Sequence, residues 1–326
     1  MRRLLAGLAA GTFLLATAAC GSSDDSGSPG SSGKDTSSGG TTTVELGLIP
    51  IVDVAPVYLG VEKGFYAKHG LELSITTAQG GAAIVPGVVS GQFQFGFSNL
   101  TSLMVAQSNN VPVKAVSNGI ASTGVAGEDF GAITVKKGSA LRSAKDLEGK
   151  KVAINTLKNI NETAVRASVR KAGGDPDKVR FVELPFDQMP AALDGGRIDA
   201  AMVVEPALAT VKSQGGQEIV SPFIDIAPNL TIAMYFTSTQ YARQHPDVVR
   251  KFQEATAESL AYADAHPDEV RRTVTTYTKI PAAVLEQVTL PKWPAEANRS
   301  SIEALRRLGS DDGLFKSEPD LDKLLP

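Results

Sequence analysis

Residues 151–206 read KVAINTLKNINETAVRASVRKAGGDPDKVRFVELPFDQMPAALDGGRIDAAMVVEP, and residues 44–99 read VELGLIPIVDVAPVYLGVEKGFYAKHGLELSITTAQGGAAIVPGVVSGQFQFGFSN. The two stretches follow one plan. The later one runs from the apolar KVAIN through a loop and a helix-like segment to Gly173-Gly174. It continues with the apolar VRFVEL, the loop PFDQM, a second helix-like segment, Gly195-Gly196-Arg197 and a last apolar run ending AAMVVEP. The earlier one repeats this with Gly70, LELSI, TTAQGG, Ser90-Gly91-Gln92 and FGFSN in the same places. Each is a βαβαβ unit. Such units make parallel sheets whose ligands sit beyond the carboxyl ends of the strands. Two copies therefore predict an α/β fold of two lobes with a cleft between them.

Working outward, the alternating run from Val44 to Ile49 starts the folded part. Pro56 to His69 places Val57, Leu59, Val61 and Phe65 at helical spacing, with Gly70 as the stop. A strand at Val113–Val116 closes the first half, and Ile133-Thr134-Val135 precedes the second. After the second unit, Gln217–Val220 adds a strand and Ile232–Phe236 carries the chain back. From Pro246 onward the pattern is helical, with segments opening at Pro246, Pro267 and Pro281, residues that cannot donate a backbone hydrogen bond, and a last one at Ser301–Leu308. A helical tail of this kind is expected to pack on the first lobe. The first lobe is thus expected to comprise 44–137 and 230–326, and the second 138–229. Two crossings, near Val135–Gly138 and Ala227–Thr231, would form a hinge.

The chain has 326 residues, 42% hydrophobic and 21% charged, which is enough for two ordinary cores. Its formal charge of -3 drops by two more if Arg2 and Arg3 are removed, so a nucleic acid is not an expected partner. Residues 1–19 read as a targeting segment: Arg2-Arg3, an apolar Leu4–Leu15, then Thr17-Ala18-Ala19 before Cys20, the chain's one cysteine. This resembles a bacterial lipoprotein signal, which implies lipidation at Cys20, although Thr17 stands where that motif usually has Leu. The alternative is an ordinary secretory leader. Residues 20–43 are rich in Gly, Ser, Asp and Thr, a flexible tether suited to holding a domain off a membrane.

Pro56-Val57-Tyr58-Leu59-Gly60-Val61-Glu62-Lys63-Gly64-Phe65-Tyr66 with Gly70-Leu71 resembles the opening motif of solute-binding proteins of the nitrate, sulfonate, taurine and thiamine-precursor type. Gly80-Gly81, Ser90-Gly91-Gln92, Asp146-Leu147-Glu148-Gly149-Lys150-Lys151-Val152, and Ala192-Leu193-Asp194-Gly195-Gly196-Arg197-Ile198-Asp199-Ala200 through Glu205-Pro206 match later elements in order. The resemblance spans about Val44 to His266. It implies a type II periplasmic-binding-protein fold and a monomeric receptor without a cofactor that hands a small molecule to an ABC permease and its ATPase. It also implies a place on the outer face of the cell membrane. The ligand class it implies is sulfonate-, taurine- or nitrate-like, with a pyrimidine or other small heterocycle as the alternative. A pyrimidine-synthase-like enzyme shares the fold, but its cysteine-rich signature is missing here. A sensory lipoprotein without a transporter is a third reading.

The candidate ligand contacts are the polar residues after strand ends. In the first lobe these are Asp53, Gly80, Gly81, Ser98 and Asn99; in the second, Asn155, Thr156, Asn159, Gln188 and Glu205. Several of these positions also suit helix caps. Asn161, also after a strand end, and Thr156 suit a helix N-cap as well as a ligand contact, and Gly80-Gly81 equally suits a tight turn. Lys158 is the one nearby cation that could meet an anion. Catalysis and metal binding find no support, because His69, His245 and His266 read as helix punctuation and no triad or two-histidine spacing is present.

Overall fold

The computed structural model describes residues 40–326, so the expectations for the leader, Cys20 and most of the tether lie outside the described residues. Ten strands form two five-stranded sheets: β1 Thr42–Leu48, β2 Leu71–Thr77, β3 Phe95–Asn99, β4 Val113–Ala121, β5 Gly131–Val135, β6 Lys151–Ile154, β7 Arg180–Glu183, β8 Ala200–Val204, β9 Gln217–Val220 and β10 Thr231–Ser238. The strand orders are β2-β1-β3-β10-β4 and β7-β6-β8-β5-β9. In each sheet the first three strands are parallel. The fourth runs antiparallel to both of its neighbours. The repeated plan in the sequence thus yields two copies of one topology.

Three boundaries differ from expectation. β1 starts at Thr42, inside the segment assigned to the tether, because its first residues pair with Leu71 and Glu72. β5 belongs to the second sheet although the 137/138 boundary put it in the first lobe; its Gly131–Thr134 pair with Val204–Ala201. The first crossing is consequently the loop 122–130, upstream of the expected Val135–Gly138, while the second lies between the helix Pro222–Ile226 and β10. The reason is local. β5 is short, fully buried and preceded by a Gly-rich loop, so no helical period marks its allegiance.

The tail does more than cover the first lobe. The 20-residue helix Pro246–Ala265 lies on the first sheet and on the helix Ala55–Glu62, stacking Phe252 on Phe95 with ring centroids 4.0 Å apart. Gly60 makes that helix pair possible, since a Cβ there would stand 2.0 Å from Ser259 Oγ. The helix Arg299–Asp311 then touches elements of both lobes, and Arg170 of the second lobe pairs with Asp312 at its end. Each sheet is sealed by buried Val, Leu, Ile and Phe on both faces, as a parallel α/β sheet requires. That framing places the strand-end loops opposite one another.

Candidate functional site

The carboxyl ends of β1 and β3 face those of β6 and β8, and a cavity of about 30 Å³ lies between them. Its polar lining is Asp53 and Asn99 from the first lobe and Asn155, Asn159 and Asn161 from the second. All five are buried. The lobes are in direct contact around it. Gln79 Nε2 donates to the Asn155 carbonyl at 2.9 Å, and Asn155 Nδ2 donates back to the Gln79 carbonyl at 3.4 Å. Val52 N–H donates to the Glu205 carbonyl at 3.0 Å.

The three second-lobe asparagines form one directed network. Asn159 Oδ1 accepts the backbone N–H groups of Asn161 and Glu162 at 3.0 and 3.2 Å, capping the helix Ile160–Lys171. That fixes its amide orientation, so Nδ2 points to Asn155 Oδ1 at 2.7 Å. Asn155 must therefore present oxygen, and Asn161 must answer it with Nδ2, at 2.8 Å. Asn161 Oδ1 is left over, buried and without a partner. In the first lobe, Asn99 Oδ1 caps the helix Leu100–Ser108 through Ser102 N–H at 2.9 Å and also accepts Ile160 N–H across the cleft at 3.3 Å. A cap and an interlobe contact are here the same atom.

Two buried acids behave differently. Asp53 is 3% exposed and its Oδ1 has no partner. Burial pushes its carboxyl up to about 8, against the pull of its own backbone N–H and with a further push from Asp129. Trp293, the chain's one tryptophan, donates Nε1–H to the Asp53 carbonyl at 3.1 Å and pins this loop. Glu205 is fully buried, and burial raises it to about 7 despite the N–H groups of Ala209 and Thr289. Those groups donate to its two oxygens at 2.9 and 3.1 Å. Glu205 thus ties the helix Ala207–Ser213 to the tail.

Of the residues expected at the site, Asp53, Asn99, Asn155 and Asn159 line the cavity. Gly80, Gly81, Ser98, Thr156, Gln188 and Glu205 do not, and neither does Lys158. The glycines serve close approach: a Cβ on Gly80 would stand 2.4 Å from Thr156 Oγ1 of the opposite lobe, and one on Gly81 only 2.1 Å from Ser98 Oγ. Gln188 sits at the start of the helix Met189–Asp194 with no side-chain cap. Sequence reasoning missed a second compartment of about 400 Å³, which shares Ile49, Ile51 and Phe186 with the polar cavity and is walled partly by Tyr277, Ile280 and Pro281 of the tail. Tyr277 is held there by stacking on Tyr58 at 4.0 Å and by donating its hydroxyl to the Ile51 carbonyl at 3.0 Å. The helical spacing Val270, Val274, Tyr277 was the available signal, but it could not say which surface the tyrosine would meet. Among the described residues no group of His, Cys, Asp and Glu could hold a metal ion.

A family model described as NMT1/THI5 like matches residues 51–270. The taurine-binding periplasmic protein of Escherichia coli (strain K12) is 26% identical over 191 residues, covering 59% of this chain and 57% of its own length. The periplasmic nitrate-binding protein NrtA from Synechocystis PCC 6803 superposes with a TM-score of 0.75 at 16% identity, over 87% of this chain and 86% of its own. The alkanesulfonate-binding protein SsuA from Xanthomonas axonopodis pv. citri, bound to MOPS, gives 0.73 at 15% identity, over 87% and 98%. The fold is that of the periplasmic binding proteins.

Proposed function

Because the chain belongs to the NMT1/THI5-like family, we propose that it is an extracytoplasmic receptor that closes on a small polar solute and delivers it to an ABC importer. The observation that carries this reading is the polar cavity between two lobes, with buried acceptors that no protein group fills. Preorganised groups of this kind bind without reorganisation, and the two crossings between lobes allow the cleft to open. The relatives' names, which specify taurine and nitrate, support solute capture as the task.

A non-enzymatic role fits the side chains present. His69 is engaged with Glu254 and Glu258 at 3.2 and 3.5 Å, and the His266 ring stacks on Tyr262 at 3.8 Å. None of the three histidines lines either compartment. The test is a thermal-shift screen of sulfonates, nitrate, pyrimidines and small aromatic acids, followed by small-angle scattering of each hit. Binding is expected to raise the melting temperature and shrink the radius of gyration. A proven binder that leaves the radius unchanged would count against closure.

The anchor belongs to the same proposal. The leader and the Gly/Ser-rich stretch 20–43 support diacylation of Cys20 on the outer face of the membrane. No helix of the described residues is long and apolar enough to cross a membrane. Cys20→Ala is expected to move the protein from the membrane fraction to the soluble one; full retention in membranes would refute lipid anchoring at this residue.

A further inference from the structure

The polar cavity is poor in the groups that an anion needs. No lysine or arginine lines it, and its one ionisable side chain is a carboxyl. Both buried lining atoms left without a partner, Asp53 Oδ1 and Asn161 Oδ1, are acceptors. The asparagine network fixes the second of these, because Asn161 can satisfy Asn155 Oδ1 only with its amide nitrogen. An anion placed here would meet two buried oxygens whose desolvation is already uncompensated. A hydrogen-bond donor would satisfy both.

Size narrows the donor. A space of about 30 Å³ at the polar end suits a compact head group rather than the body of a solute. Ile49, Ile51 and Phe186 form the wall that it shares with the 400 Å³ compartment, so a group seated in the small cavity can continue past apolar side chains into the larger space. The larger space is mostly apolar in lining; its lysine, Lys279, is exposed and stands in the same lining as Asp187.

We propose that the ligand of this receptor is a primary amine on an apolar body, its ammonium group donating to Asp53 Oδ1 and Asn161 Oδ1 and its body passing Ile49, Ile51 and Phe186 into the larger compartment. This rests on the receptor reading above and names the ligand class for that cleft. Asp53, which burial keeps protonated in the unliganded protein, releases that proton to solvent as the ammonium group enters and so becomes the countercharge, and Trp293 acts as a positioning residue by holding the Asp53 backbone. Charge-assisted bonds of this kind are stronger than neutral ones.

Two probes with one body and opposite heads test it: 2-phenylethylamine and 2-phenylethanesulfonate, titrated calorimetrically into the full-length protein with melting curves beside them. The amine is expected to bind and raise the melting temperature, and the sulfonate to do neither. Asp53→Asn is expected to weaken the amine by about 10- to 150-fold. Asn161→Ala should weaken it in the same direction, and it decides the matter if the Asp53 variant does not fold. Sulfonate binding with compaction and no amine binding overturns the amine assignment while leaving the receptor intact. Amine binding undiminished in both variants also overturns it, as does failure of both probes. If, beyond that, no solute of the wider screen binds, the receptor reading falls as well.

Discussion

Asn155→Ala is expected to weaken solute binding by about 5- to 150-fold while leaving the melting temperature of the unliganded protein nearly unchanged. Asn155 Oδ1 is the acceptor for two amide groups, Asn159 Nδ2 and Asn161 Nδ2. When the lobes part, water reaches these amides and truncation is tolerated. When they close, both donors are buried with no acceptor, at roughly 1 to 3 kcal/mol for each. Asn99→Ala should behave differently, because its Oδ1 also caps the helix Leu100–Ser108. Loss of the cap lowers unliganded stability by about 1 kcal/mol, and loss of the acceptor for Ile160 N–H weakens the closed state as well. Calorimetric titration of a solute found by the screen, beside melting curves, separates the two. Native affinity in Asn155→Ala would remove the asparagine network from the site.

The unliganded protein should melt at progressively lower temperature as pH rises from about 5 to about 8. Burial raises Asp53 to about 8 and Glu205 to about 7, from ordinary carboxyl values of 3.8 and 4.5. Between those limits the folded chain keeps protons that the unfolded chain has released. Their contribution is complete below the unfolded values and is lost as pH climbs through the folded ones, on the order of 1 kcal/mol per pH unit for each group. Asp53→Asn removes its share and should flatten the curve, with higher stability than native at pH 8. Glu205→Gln should flatten it too but start lower, since an amide cannot accept both the Ala209 and Thr289 N–H groups. Trp293 fluorescence reports the transition directly. A native curve that is level or rises over this range would contradict the burial argument, as would an Asp53→Asn curve as steep as the native one.

Much of the fold was legible because hydrophobic period and glycine punctuation recur in both halves, and recurrence is stronger than any single motif. β5 was misassigned because pairing partners far away in sequence, Ala201–Val204 and Gln217–Val220, decide where a short buried strand goes. Strand-end position picked out Asp53, Asn99, Asn155 and Asn159, which line the polar cavity. Position could not distinguish Thr156, which packs on Gly80, from Asn161, whose side chain faces the cavity from the first turn of a helix. Nor could it assign Glu205, whose carboxylate is consumed by Ala209 and by Thr289 of the distant tail.

The strand orders carry a consequence for how the chain is assembled. The second sheet is made from one uninterrupted stretch, β5 to β9, so all its strands are present once residue 220 has emerged. The first sheet has a gap between β3 and β4 that only β10 fills, and β10 begins at Thr231. The amino-terminal lobe, although synthesised first, is therefore completed last, after its neighbour has been threaded through it as an insert. Folding the insert draws together the ends of the long segment between β4 and β10, which removes most of the loop-closure entropy that would otherwise oppose that final pairing.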